Sequence, residues 1–152
     1  MINLGKELIA GFDKDSILEL LEGDDIIIKL FKLINLDPEK PQYHNILCFH
    51  KESKNALVFK TNKWIKMDLE KMCEEVIDNK IRFLESFVEE HEIDSENVRE
   101  QIELLANDVS AKKSIGRQIQ RVSLTKKEMV KKSMGLLTSA SVLASSLVSV
   151  AF

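Results

Sequence analysis

The sequence contains few of the residues that cross-link or interrupt a small protein. Its 152 residues include two cysteines, two prolines and five glycines. Cys48 and Cys73 have no paired spacing, which argues against a disulfide framework and is typical of a reducing compartment. None of the glycines falls in a phosphate-binding pattern.

The sequence also lacks the residue sets on which catalysis depends. It has no nucleophile with a base and an acid in a defined context, and no glycine-rich phosphate cradle. Carboxylates are plentiful, but their helical phases place most of them on solvated faces. We therefore expect a protein that is not an enzyme, with no cofactor and no small-molecule substrate.

A short cluster of His and Cys residues offers potential metal ligands, but an ordinary structural role is the alternative. His44, Cys48 and His50 are close in sequence, and a zinc site would need a fourth ligand such as Cys73 or His91. Their spacing matches no structural zinc motif, in which ligands come in pairs a few residues apart. We expect no metal, and we expect His44 to hydrogen-bond the backbone of a turn.

The charges are strongly segregated. The chain has a net charge of -3, yet residues 111–132 hold eight Lys or Arg against one acid, Glu128. These cations recur at spacings that can stripe one or two helix faces, and phosphates would accept such a stripe. The alternative is a face that is solvated or paired with the acidic remainder. The cations are Lys112, Lys113, Arg117, Arg121, Lys126, Lys127, Lys131 and Lys132.

The first 36 residues favour two short helices. Asp13 or Asp15 can cap the first, and Gly23 is predicted to end it in a left-handed conformation. The second should follow Asp24 and Asp25, because apolar residues then recur at helical spacing.

A change of period marks the middle of the chain. Pro38 and Pro41 predict an extended connection over residues 37–44. Short β-branched and aromatic runs at 46–49, 57–60 and 63–67 then predict a three-stranded antiparallel meander. Asn62 suits the tight second turn, which requires a positive φ.

Two helices are predicted after the meander. Asp68 should begin a long one, and Asp94 or Ser95 should begin another that continues through Val109. We expect both to cover one face of the sheet. The predicted fold class is α+β, mostly helical, with a small meander near 45–67 and a long C-terminal helix. Its predicted organisation is a body, 1–110, followed by a basic segment with an apolar helix, 111–152.

The C-terminal helix is predicted from a capping box at Thr125 and Glu128. Residues 133–152 carry no charge, and apolar positions follow a heptad-like spacing. Three interpretations are open: packing on the body, self-association, or a tail anchor in a membrane behind the lysines. Serines weaken the membrane interpretation, so self-association is favoured. The seam consists of Met129, Leu136, Ala140, Leu143, Leu147 and Val150.

The stretch from Phe31 to Glu90 resembles an uncharacterised module of nucleocytoplasmic giant DNA viruses, the mimivirus group especially. The matching residues are Asn35, Asp37-Pro38-Glu39-Lys40-Pro41, Tyr43-His44-Asn45-Ile46, Ala56-Leu57-Val58-Phe59, Lys63-Trp64, Val76-Ile77, Lys80 and Leu84. In that family the module often follows a zinc-finger-like or other DNA-binding segment. No Cys or His precedes the match here, so the resemblance does not extend to a metal-bound DNA reader.

The resemblance implies a viral protein that works in genome handling, gene expression or assembly. With the segregated charges, it predicts a non-catalytic interaction or scaffold protein. The expected partners are further copies of the chain and nucleic acid, with a membrane as the less favoured alternative. The first residues follow no secretory signal pattern. The expected location is therefore the reducing cytoplasm of a host cell, with the viral factory as a narrower choice.

Overall fold

A computed structural model describes residues 1–7, 11–48 and 54–124 of the chain. Five α-helices and one three-stranded antiparallel sheet form this part, and the predicted α+β class is confirmed. The elements are α1 (Lys14–Leu21), α2 (Ile26–Asn35), β1 (Ile46–Leu47), β2 (Asn55–Lys60), β3 (Lys63–Asp68), α3 (Leu69–Glu90), α4 (Glu96–Asn107) and α5 (Val109–Leu124).

Helices α1 and α2 form as the sequence predicts, but the turn between them does not. The Asp13 side chain caps α1 by accepting a hydrogen bond from the backbone N–H of Asp15. Asp25, with φ of 53°, is the left-handed residue, so the prediction for Gly23 is wrong. Asn97 and Gln101 of α4 donate to the Gly23 carbonyl at 2.9 Å each. A distant helix therefore satisfies this turn.

The proline-containing connection is more tightly folded than predicted. Pro41–Tyr43 forms a turn of 3₁₀ helix, so the expectation of an extended chain over residues 37–44 is wrong there. Pro41 begins this turn, where its missing N–H has no partner to lose. The ring nitrogen Nε2 of His44 donates to the Asp37 carbonyl at 2.6 Å, which confirms the predicted backbone role of His44.

The sheet is the predicted meander, in the order β1-β2-β3. Thr61 and Asn62 both have positive φ and form the two-residue turn between β2 and β3. Trp64 lies half-buried on β3 and packs edge-to-face on Phe59, with ring centroids 5.4 Å apart. Phe59 is also the residue paired with Trp64 in the antiparallel register of β2 and β3.

Helices α3 and α5 cover the sheet, and α4 does not. Helix α3 packs on β2 and β3, whereas α4 packs against α5. The prediction that α3 and α4 share one face of the sheet is therefore wrong for α4. Helix α4 ends at Asn107, and the extended backbone of Asp108 separates it from α5. Val109 thus belongs to α5 and is 69% exposed.

Helix α5 is part of the packed body. Ile115 and Ile119 are buried in the same apolar cluster as Phe31, Met72 and Phe87. The boundary predicted between residues 110 and 111 falls inside α5, and the residues of α5 beyond that boundary pack on α2, α3 and α4. The predicted helix after Thr125 lies outside the described residues.

Candidate functional site

Helix α5 separates an apolar face from a cationic one. Ile115 and Ile119 are buried, whereas Lys113, Arg117 and Arg121 are exposed. Residues four apart lie on the same side of a helix, about 6 Å apart along its axis. These three cations therefore form one row on the surface, which we call the α5 stripe.

The α5 stripe is not neutralised by the rest of the described chain. Among residues 1–7, 11–48 and 54–124, no carboxylate lies within ion-pair distance of Lys113, Arg117 or Arg121. Lys112, on the flank, is different because its Nζ lies 3.8 Å from an Asp78 carboxylate oxygen. Of the four predicted cations on this helix, three face solvent and one contacts an acid of α3.

A groove runs beside the stripe, between the start of α3 and α5. Its volume is about 560 Å³, and we call it the α3–α5 groove. Lys113 and Arg117 line one side, and Glu70 and Glu74 of α3 contribute opposite charges. The groove itself is therefore of mixed charge, while the exposed cationic row continues past it to Arg121.

Cys73 and Gly116 hold α5 close to α3. A methyl group on Gly116 would lie 3.3 Å from Cβ of Cys73, closer than an ordinary carbon contact. The Cys73 thiol donates to the Gly116 carbonyl, with 3.3 Å between sulfur and oxygen. Burial, aided by Glu70 and Glu74, raises the pKa of this thiol to about 11, so it stays protonated at neutral pH.

The described residues provide no metal centre. Within the described ranges, no group of three or more His, Cys, Asp and Glu side chains could hold a metal ion. Burial raises the pKa of Cys48 to about 12, and His91 packs on the ring of Phe87 with centroids 4.4 Å apart. His50 lies outside the described residues.

The second half of the predicted site also lies outside the described residues. It comprises the cations Lys126, Lys127, Lys131 and Lys132 and the seam Met129, Leu136, Ala140, Leu143, Leu147 and Val150. The self-association and membrane-anchor interpretations of this tail therefore stay predictions. Within residues 1–7, 11–48 and 54–124, no helix is long and apolar enough to cross a membrane.

A buried polar network is the main feature that the sequence did not predict. Lys80 of α3 is fully buried, and its Nζ lies 4.0 Å from Glu7 Oε1 and 2.8 Å from Asn79 Oδ1. Glu7 Oε1 also accepts from Nδ2 of Asn35, at 3.1 Å, and of Asn45, at 2.9 Å. The first seven residues are thus joined to α2, α3 and the approach to β1.

Asn35, Asn45 and Lys80 come from separate parts of the sequence and meet in one buried cluster. The signal in the sequence was the position of Lys80, four residues before Leu84 and four after Val76, within an apolar helical stripe. A cation at such a position requires a buried partner. Glu7, the carboxylate nearest its Nζ, is too distant in sequence for local patterns to identify it.

Comparison with known proteins gave no match, whether the chain was compared with family models, with curated proteins or with solved structures.

Proposed function

We propose that this chain is a non-catalytic interaction protein that binds the phosphate backbone of nucleic acid through the α5 stripe. The observation that carries the proposal is the exposure of Lys113, Arg117 and Arg121 in one row, none of them in an ion pair with a carboxylate of the described chain. The basic residues that follow, from Lys126 onward, extend the local positive charge in sequence.

A row of cations on a helix favours a partner with several linked phosphates over a single small anion. A row of guanidinium and ammonium groups on a rigid helix can contact several phosphates at once, and each contact releases condensed counterions. Arginine adds paired donors that match phosphate oxygens. These contacts carry no base information, so the proposed binding is independent of sequence.

The viral setting and the self-association are parts of the same proposal. The resemblance supports a role in genome handling or assembly in the cytoplasm of an infected cell. Self-association through Met129, Leu136 and the later seam residues would place several α5 stripes on one particle. Several weak phosphate contacts would then act together and raise the overall affinity.

The test is a titration of a fluorescently labelled oligonucleotide at low salt with the full chain. Changing Lys113, Arg117 and Arg121 to Gln should weaken binding by at least about tenfold, because three phosphate contacts are lost. The matched control changes Lys14, Lys29 and Lys32 to Gln, which removes the same charge from exposed positions of α1 and α2. Equal affinities for both variants, or no binding by the unaltered chain, would reject the proposal.

A further inference from the structure

A second groove lies between the end of α3 and α4, in a part of the chain where acidic residues predominate. Its volume is about 330 Å³, and we call it the α3–α4 groove. Its apolar lining is contributed by Val88, Ile93, Val98 and Ile102, of which Val98 is buried and the others are half-buried. An amphipathic partner can therefore reach apolar side chains that the fold leaves partly uncovered.

The turn after α3 builds this groove. Glu92 adopts a left-handed conformation, and the Ile93 N–H donates to the Val88 carbonyl at 2.8 Å. This is the Schellman pattern, in which the residue after the left-handed one packs against the last helical turn. Ser95 then caps α4 by accepting from the Val98 N–H. The chain thus reverses and sets the apolar residues of α3 and α4 side by side.

The rim of the α3–α4 groove is acidic. Its charged lining residues are Glu85, Glu103 and Arg99, and residues 85–108 together hold nine Asp or Glu against that one Arg. Arg99 is itself paired with Asp94. An occupant should therefore combine apolar anchors with positive charge.

We infer that the α3–α4 groove receives residues 126–136 from a second copy of this chain. That segment places Met129 and Leu136 seven residues apart, a spacing that puts both on one side of a helix. On such a helix Lys126 and Lys132, three residues before and three after Met129, flank this side and complement the acidic rim. The inference rests on the self-association proposed above, and it identifies the surface that the tail contacts.

The test measures the solution mass of the full chain and of charge-reversed variants, with circular dichroism to confirm folding. The unaltered chain should exceed the 17.4 kDa of a monomer. Changing Glu85 and Glu103 to Lys should return it to the monomer mass, as should changing Lys126 and Lys132 to Glu. Combining all four changes should restore the assembly, because the opposite charges are then paired again.

A control separates this surface from general charge effects. Changing Glu96 and Glu100 to Lys alters the net charge of the chain by the same amount at two positions of α4 outside the groove, and the mass should not change. If the chain with Glu85 and Glu103 changed to Lys still assembles, the assignment of the groove is wrong, but the proposed self-association stands. If the unaltered chain has the mass of a monomer, both the groove assignment and the self-association are wrong. That outcome includes the case in which the tail of each chain occupies the groove of the same chain. Oligonucleotide binding by the α5 stripe is measured separately.

Discussion

At the scale of single residues, Lys80 places an ionisable amine in the interior of the fold. Its Nζ lies beside Glu7 and Asn79, and Glu7 in turn accepts hydrogen bonds from Asn35 and Asn45. Burial lowers the pKa of Lys80 to about 8, although Glu7 opposes the shift. The native amine therefore loses its proton near pH 8, whereas the unfolded chain keeps it to the ordinary value of 10.5.

This difference predicts that the contribution of Lys80 to stability rises with pH. Between about pH 8 and 10.5 the unfolded chain binds more protons at Lys80 than the native protein, so this contribution to the free energy of unfolding should increase. The raised pKa values of Cys48 and Cys73 act in the opposite direction above pH 9, so the contribution of Lys80 is measured as a difference from a variant without its amine. The increase should reach about 3 kcal/mol across that window. Denaturant unfolding at several pH values checks it, with Lys80→Met as the reference for other titrating groups. If the difference in free energy of unfolding between the unaltered protein and Lys80→Met does not change with pH, the lowered pKa of Lys80 is wrong.

Glu92 offers a second prediction at this scale. Its φ of 53° is a left-handed conformation that costs a non-glycine residue about 1 kcal/mol. Glu92→Gly should therefore raise the free energy of unfolding by about 0.5 to 1 kcal/mol, measured by chemical denaturation.

The neighbouring Glu90 provides the opposite case for Glu92. It is the last residue of α3 and has helical backbone, so Glu90→Gly should lower stability by a similar amount. If Glu92→Gly and Glu90→Gly both stabilise the protein, or if neither does, the left-handed conformation of Glu92 does not determine the change in the free energy of unfolding.

At the scale of elements, α4 depends on its first turn. The Ser95 side chain accepts a hydrogen bond from the Val98 N–H at 3.2 Å, and Val98 is buried. Ser95→Ala should cost about 1 kcal/mol, because a backbone donor of α4 loses its partner. Thermal and denaturant unfolding measure this loss.

The matched substitution for Ser95→Ala is Ser86→Ala. Ser86 is exposed in the middle of α3, where alanine favours the helix slightly, so stability should hold or rise. An equal loss at both positions would mean that the hydroxyl of Ser95 does not cap α4.

Local patterns predicted most elements, and distant contacts decided the exceptions. The turn at Asn62 follows from nearby residues, and the caps were narrowed to Asp13 or Asp15 and to Asp94 or Ser95, of which the structure has Asp13 and Ser95. The turn at Gly23 could not be predicted, because Asn97 and Gln101 satisfy it from α4. The same holds for α4 itself, whose packing on α5 depends on the break at Asp108 rather than on its apolar period.

At the scale of the whole molecule, opposite charges occupy different elements. The end of α3 and α4 carry a cluster of exposed acids, whereas α5 carries a row of exposed cations. The sequence predicted the cations of α5 as a candidate site, since their spacing matches a helix. It could not predict which of them form an ion pair, because the contact of Lys112 with Asp78 depends on how α5 packs on α3.

The salt dependence of nucleic-acid binding tests the central claim most directly. For double-stranded DNA, each phosphate contact contributes about -0.9 to the slope of log affinity against log salt concentration. The account predicts that changing Lys113, Arg117 and Arg121 to Gln makes the slope shallower by about 2 to 3. An unchanged slope for that variant would contradict the claim that the α5 stripe binds phosphates.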